Sequence, residues 1–155
     1  MSRMYTVSFT GVAVTAQQDF FEVTAAAGKN VRLRALYLSQ SSDVGDAAEE
    51  GLSILIKSGA TTSGSGGSSY TPTPLNATDA AAGFAAEINN TTKANTGTIV
   101  THHADNWNIR VPYQLILPPE MCVELTGSRR GTVELATTPA DSLTISGTLY
   151  VEEFG

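Results

Sequence analysis

This chain of 155 residues predicts an all-β fold, an antiparallel β-sandwich of the jelly-roll type. Two observations carry the prediction. Apolar and polar residues alternate with a period of two in short segments, and turn signals rich in Gly, Pro, Asn and Ser recur between those segments. Short strands at such spacing favour a sandwich or jelly roll over an α/β fold. The length suits one domain, 1–155, that buries roughly 68–70% of its extended surface without disulfides or metal.

Near the N-terminus Tyr5, Val7 and Phe9 share one parity and Val12 and Val14 the other, with Gly11 at the slip. A β-bulge at Gly11 keeps both halves facing the core. Strands follow at 20–24 and 31–40, separated by Gly28-Lys29-Asn30. Asp46-Ala47-Ala48-Glu49 has the spacing of a capping box, so a single helical turn or loop is expected over 46–51 before the strand at 52–57. The segment 58–74 contains Gly64-Ser65-Gly66-Gly67-Ser68-Ser69 and carries little apolar surface, which predicts a long, flexible Gly/Ser-rich insertion loop whose tip meets a partner. The alanines of 80–88 invite a helix, but Gly83 interrupts them and Asn89-Asn90-Thr91-Thr92 ends them, so an irregular stretch or short strand is expected.

From 107 to 117 the pattern alternates again, with Trp107, Ile109, Val111, Tyr113, Leu115 and Leu117 opposed by Asn108, Arg110, Gln114 and Ile116. Pro112 within the run marks a break or a sheet edge. Pro118-Pro119 forms a corner, strands are expected at 121–126 and 132–137, and Gly127-Ser128-Arg129-Arg130-Gly131 is a tight loop between them. The clearest strand is the last, where Leu143, Ile145, Leu149 and Val151 alternate with Ser142, Thr144, Ser146, Thr148 and Glu152.

Only 15% of residues are charged, against roughly 25% in an average soluble domain, so the surface is neutral and rich in hydroxyls. Nine basic residues oppose fifteen acidic ones, and the net charge of −6 disfavours nucleic acid as a partner. Cys122 is the single cysteine, so no intrachain disulfide forms and its thiol is expected simply to pack. The first residues run directly into strand pattern without a signal-peptide h-region, and no stretch is apolar enough to span a membrane. Synthesis in a reducing cytoplasm is the expectation. The sequons at Asn76, Asn89 and Asn90 then read as loop chemistry.

Chemistry-bearing patterns are sparse. His102-His103 with Asp105 is the nearest approach to a metal set, but neighbours on a strand point to opposite faces, which favours a surface or interface pair. Asp43, Asp46, Glu49 and Glu50 offer carboxylates for calcium without EF-hand spacing, and capping accounts for half of them. No G-x-S-x-G elbow is present. Glu22, Glu124, Glu134 and Glu152 lie on strands, where solvated faces explain them as well as paired-carboxylate hydrolysis does. Gly64-Ser65-Gly66-Gly67 lacks the lysine and helix of a phosphate loop. Arg129-Arg130 reads as a solvated turn or an ionic contact to an acidic partner. Trp107 and Tyr113 fall on the apolar parity and are expected in the core. No catalytic, cofactor-binding or metal residue is therefore assigned, no cofactor or small-molecule substrate is expected, and the chain reads as a non-enzyme.

As a whole the layout resembles the jelly-roll virion proteins of tailed bacteriophages, the group that includes capsid decoration or cement proteins. The residues that carry the resemblance are Tyr5-Thr6-Val7-Ser8-Phe9; Val31-Arg32-Leu33-Arg34-Ala35-Leu36-Tyr37-Leu38-Ser39-Gln40 with the acidic run to Glu50; the Gly/Ser insertion; the Pro118-Pro119-Glu120 corner; and the closing Leu143-Thr144-Ile145-Ser146-Gly147-Thr148-Leu149-Tyr150-Val151-Glu152-Glu153-Phe154. The resemblance implies a homotrimer seated on the outer capsid surface of the virion, with the major capsid protein as partner. A receptor- or glycan-binding jelly roll, a tail or head-completion component, and a small lyase or glycosidase on the same scaffold are the competing readings.

Overall fold

The computed structural model describes residues 1–44 and 49–155. Residues 46–48 of the expected capping box, and with them the first half of the turn expected over 46–51, lie outside the described residues, while Gly51 already opens a strand. Twelve strands are seen: β1 (Arg3–Val14), β2 (Gln18–Ala25), β3 (Asn30–Gln40), β4 (Gly51–Ala60), β5 (Ser68–Tyr70), β6 (Thr73–Pro74), β7 (Phe84–Asn90), β8 (Gly97–Asn108), β9 (Tyr113–Ile116), β10 (Val123–Thr126), β11 (Arg130–Leu135) and β12 (Leu143–Phe154). One 3₁₀ turn, Pro119–Met121, forms the corner before β10.

All pairings are antiparallel: β1 with β12, β2 with β11, β3 with both β9 and β10, and β4 with β8. The chain is thus one long two-stranded ribbon, β9 and β10 forming a single interrupted arm, and the ribbon is rolled so that successive strands fall in alternate sheets. Sheet A runs β10-β3-β12-β1-β6, with β9 also on β3, and sheet B runs β5-β7-β2-β11-β4-β8. This winding is a jelly roll, and the two sheets pack face to face as a β-sandwich.

The core lies between the sheets. Phe9 packs against both Phe20 and Phe21, with ring centroids 5.8 and 5.3 Å away, and Tyr5 meets Phe84 edge to face at 5.5 Å. Bulges let the strands keep this face. The β1–β12 register shifts between Phe9 and Val12, where Gly11 adopts φ +64°, so Val14 is buried as the parity change requires. A second shift falls between Val133 and Glu134 and sets an extra residue into β2, so adjacent Phe20 and Phe21 are both buried while Asp19 and Glu22 share the outer face.

Two expectations need correction. The segment 58–74 is not a structureless loop: it contains the end of β4 and all of β5 and β6, and with 90–96 it lies across the outer face of sheet B. There Ser65 and Thr92 exchange backbone hydrogen bonds of 2.9 Å, and Thr61 donates to the Thr96 carbonyl at 2.8 Å. Beyond this strap β7 extends sheet B past β2, and β6 caps β1 at Tyr5 and Thr6. The run 107–117 breaks where Pro112 marks it, as expected, but Val111 does not reach the core. Trp107 is the penultimate residue of β8 in sheet B, the chain turns over 109–112, and Tyr113 opens β9 in sheet A. Pro112 sits at that crossing, and Val111, expected in the core, is 57% exposed.

Candidate functional site

The two outer faces differ. That of sheet B is covered by the strap, and beneath it lies a buried ionic network. Glu22 is 3% exposed and meets Arg130 Nε at 2.5 Å; it also accepts from the Ser63 hydroxyl at 2.8 Å and the Gly64 amide at 2.9 Å. Glu134 is paired with Lys57 and, at 2.8 Å, with Lys93. Asn90 donates to Glu22 and Glu87 and accepts from the Gly67 amide, tying strap to sheet. Asp19 accepts from the Ala94 amide at 2.8 Å. Burial raises its carboxyl to about 6; the Glu134 and Glu22 charges push the same way, against the Ala94 amide and Lys57.

The reading of the strand carboxylates as solvated therefore holds for Glu124, which faces Arg32 at 3.1 Å on exposed surface, and fails for Glu22 and Glu134. Glu152 pairs with Arg34 at 3.1 Å. Glu22 and Glu134 are each held by a cation under a cover, an arrangement that fastens the strap to the sheet. Gly64, dismissed as a phosphate loop, is one of the fastening points.

His102 and His103 diverge. The β4–β8 register shifts between Ile56 and Lys57, which leaves His102 as the extra residue. Its Nε2 lies 2.7 Å from Ser58 Oγ, while His103 Nε2 lies 3.9 Å from Asp105 Oδ2. Among the described residues no group of three His, Cys, Asp or Glu side chains is placed to hold a metal. Ser58 with His102 has the make-up of a nucleophile and base. The hydroxyl, however, is 3% exposed and also accepts from Arg129 Nε at 3.1 Å, so it is closed to a substrate carbonyl. Of the acidic run, Asp43 donates its amide to Gln40 Oε1 and Glu50 accepts from the Ala140 amide.

Trp107 and Tyr113 are core residues, as their parity predicts. The Trp107 indole donates to the Val111 carbonyl at 2.7 Å and holds the turn between sheets; the Tyr113 hydroxyl donates to Asp105. Cys122 is half-buried, its thiol donating to the Leu117 and Pro118 carbonyls, and burial raises its pKa. Asn76 makes a local turn with Thr78, whereas Asn89 and Asn90 belong to β7 rather than to a loop.

Among the described residues no segment covers the centre of the outer face of sheet A. Tyr37 and Tyr150 meet there edge to face at 5.7 Å, and with Met4, Arg34, Ile116 and Leu117 they line a hollow of 210 Å³. Ile116 is 61% exposed and Met121, just past the Pro118-Pro119 corner, 67%. The ion pairs Arg34–Glu152 and Arg32–Glu124 border this patch, and Arg32 also stacks on Phe154 at 4.2 Å. Aromatic, Met and Arg side chains around a shallow apolar centre are the composition of protein-binding surfaces. Ile116 carries the patch yet fell on the polar parity, and its apolar side chain among polar neighbours was the one signal of it in the sequence. No family model, no curated protein and no solved structure matches the chain.

Proposed function

We propose that this chain is a non-enzymatic structural protein of a tailed-bacteriophage virion, a capsid decoration protein that sits as a homotrimer on the outside of the head and stabilises the shell through the major capsid protein. The observation that carries the reading is the asymmetry of the two faces. One is sealed by a strap over paired charges; the other presents Tyr37, Tyr150, Ile116 and Met4 on a rigid sheet. A rigid aromatic patch loses little side-chain entropy on docking, and many copies in a lattice multiply a modest contact. The resemblance of the strand layout to cement proteins supplies the partner.

The test combines light scattering of the pure protein at several concentrations with addition to bare capsids that are then heated. A stable trimer that raises the temperature of capsid rupture, with the Ile116→Asp variant failing to bind, is the expected result. A protein that neither trimerises nor binds heads overturns the proposal. The exposed tyrosine pair also favours a second reading, a glycan-binding jelly roll. Its rings stand 68° apart and form no common stacking plane, which is why the protein-binding reading is preferred. Glycan-array binding lost in Tyr150→Ala would reverse that preference.

A further inference from the structure

At the end of the sandwich where β10 turns into β11, a recess of 560 Å³ is lined by Thr24, Gly59, Thr61, Thr126, Ser128 and Arg129, among others. Arg3, Arg32, Arg34 and Arg130 each face a carboxylate, but Arg129 has none among the described residues. Its guanidinium is nevertheless held in place. Nε donates to Ser58 Oγ at 3.1 Å, and Ser58 in turn lies 2.7 Å from His102 Nε2. With its oxygen accepting from Arg129, the buried hydroxyl directs its own proton to the ring nitrogen of a neutral His102. Burial, with the Arg129 charge beside it, lowers the His102 pKa and keeps the ring in that form.

Gly59 completes the recess. It adopts φ +104° with the Thr98 carbonyl oxygen where a Cβ would stand, and Arg129 Nη2 lies within 3.6 Å of that position. The fork of the arginine therefore lies over bare backbone, with its Nη groups unspent and hydroxyls of Thr24, Thr61, Thr126 and Ser128 around it. In a protein of net charge −6, a fixed arginine that lacks a carboxylate is the exception that calls for an external one.

We propose that this recess is an oxyanion-binding site in which Arg129, oriented through Ser58 and His102, takes a carboxylate or a phosphate-type anion in its guanidinium fork. The inference does not depend on the assembly reading above, since its site lies at the end of the sandwich and not on the open face of sheet A.

The experiment is an amide-resolved NMR titration of the intact protein with sodium phosphate and, separately, sodium acetate, at constant ionic strength held with sodium chloride. Saturable shifts at 59–61 and 126–130 are expected, with binding at least tenfold weaker in Arg129→Gln and several-fold weaker in Ser58→Ala, whereas Arg32→Gln on sheet A binds as the parent does. Saturation by acetate alone identifies a carboxylate ligand, and by phosphate alone a phosphate-type ligand; either supports the site. Equal shifts with chloride, absence of saturation with both anions, or undiminished binding by Arg129→Gln overturns it. Because Arg129 is in an exposed turn, that variant remains informative even where Ser58→Ala perturbs the fold.

Discussion

Asp19 shows what a single buried group contributes. It is 1% exposed, and only one of its oxygens has a hydrogen-bond partner. Its carboxyl is raised from 3.8 to about 6. The native state therefore holds a proton between these values that the unfolded chain has released. The resulting stability is fully present below the lower value and is lost as pH rises through about 6. A shift of about two units corresponds at its limit to about 3 kcal/mol. Thermal unfolding from pH 4.5 to 7.5 is expected to show the stability of the parent falling relative to Asp19→Asn as pH rises; parallel curves would refute the assignment. Two glycines make a second comparison. Gly11 at φ +64° has open space around it, so Gly11→Ala is expected to cost only about 1 kcal/mol in chemical denaturation. Gly59→Ala adds a collision with the Thr98 carbonyl to an unfavourable φ and is expected to cost at least twice as much, and equal midpoints for the two would contradict this.

Among the elements, the strap over sheet B is held at a few polar points instead of by apolar burial. Asn90 is the hinge of that fastening, 2% exposed and bonded to Glu22, Glu87 and the Gly67 amide. Asn90→Ala leaves those groups short of partners and is expected to cost about 1–3 kcal/mol. Hydrogen exchange should quicken at 64–67 and leave β12 protected; uniform acceleration across the chain would show that the strap does not open separately. The edge strand β8 explains why part of the fold was hard to read. Between Gly97 and Asn106 its side chains are mostly exposed on both faces, so no alternation marks it, and only Trp107 signalled a strand there. Inward-facing His103 and Asp105, across from Ile56 and Ile54, are polar groups of the kind that discourage edge-to-edge pairing.

For the whole molecule the ribbon winding sets the folding problem. The first strand pairs with the last, Arg3 opposite Glu153, and each later pair closes a shorter loop until β4 meets β8 across the strap. Contacts so distant in sequence must be closed before they return free energy, so refolding followed through buried Trp107 is expected in milliseconds to seconds or slower. Completion within microseconds would mean that local structure nucleates the fold. The same winding explains the location of the recess: β11 lies between β2 and β4 in sheet B, so the turn between β10 and β11, the end of β2 and the end of β4 meet at one end of the sandwich.

By itself the sequence determined the strands that have one wet and one dry face, because period-two alternation is a local property: the perfect alternation of β12, the phase slip at Gly11 and the core positions of Trp107 and Tyr113 were all legible. Only the tertiary structure decided what the Gly/Ser segment does, which carboxylates are buried, and that Arg129 has no carboxylate partner among the described residues. Glu22 and Glu134 look like any solvent-facing strand residues until a segment more than thirty positions away from Glu22 is laid over them. Burial of a polar group depends on what covers it, and that is set by the rolled ribbon rather than by the residue's neighbours in the chain.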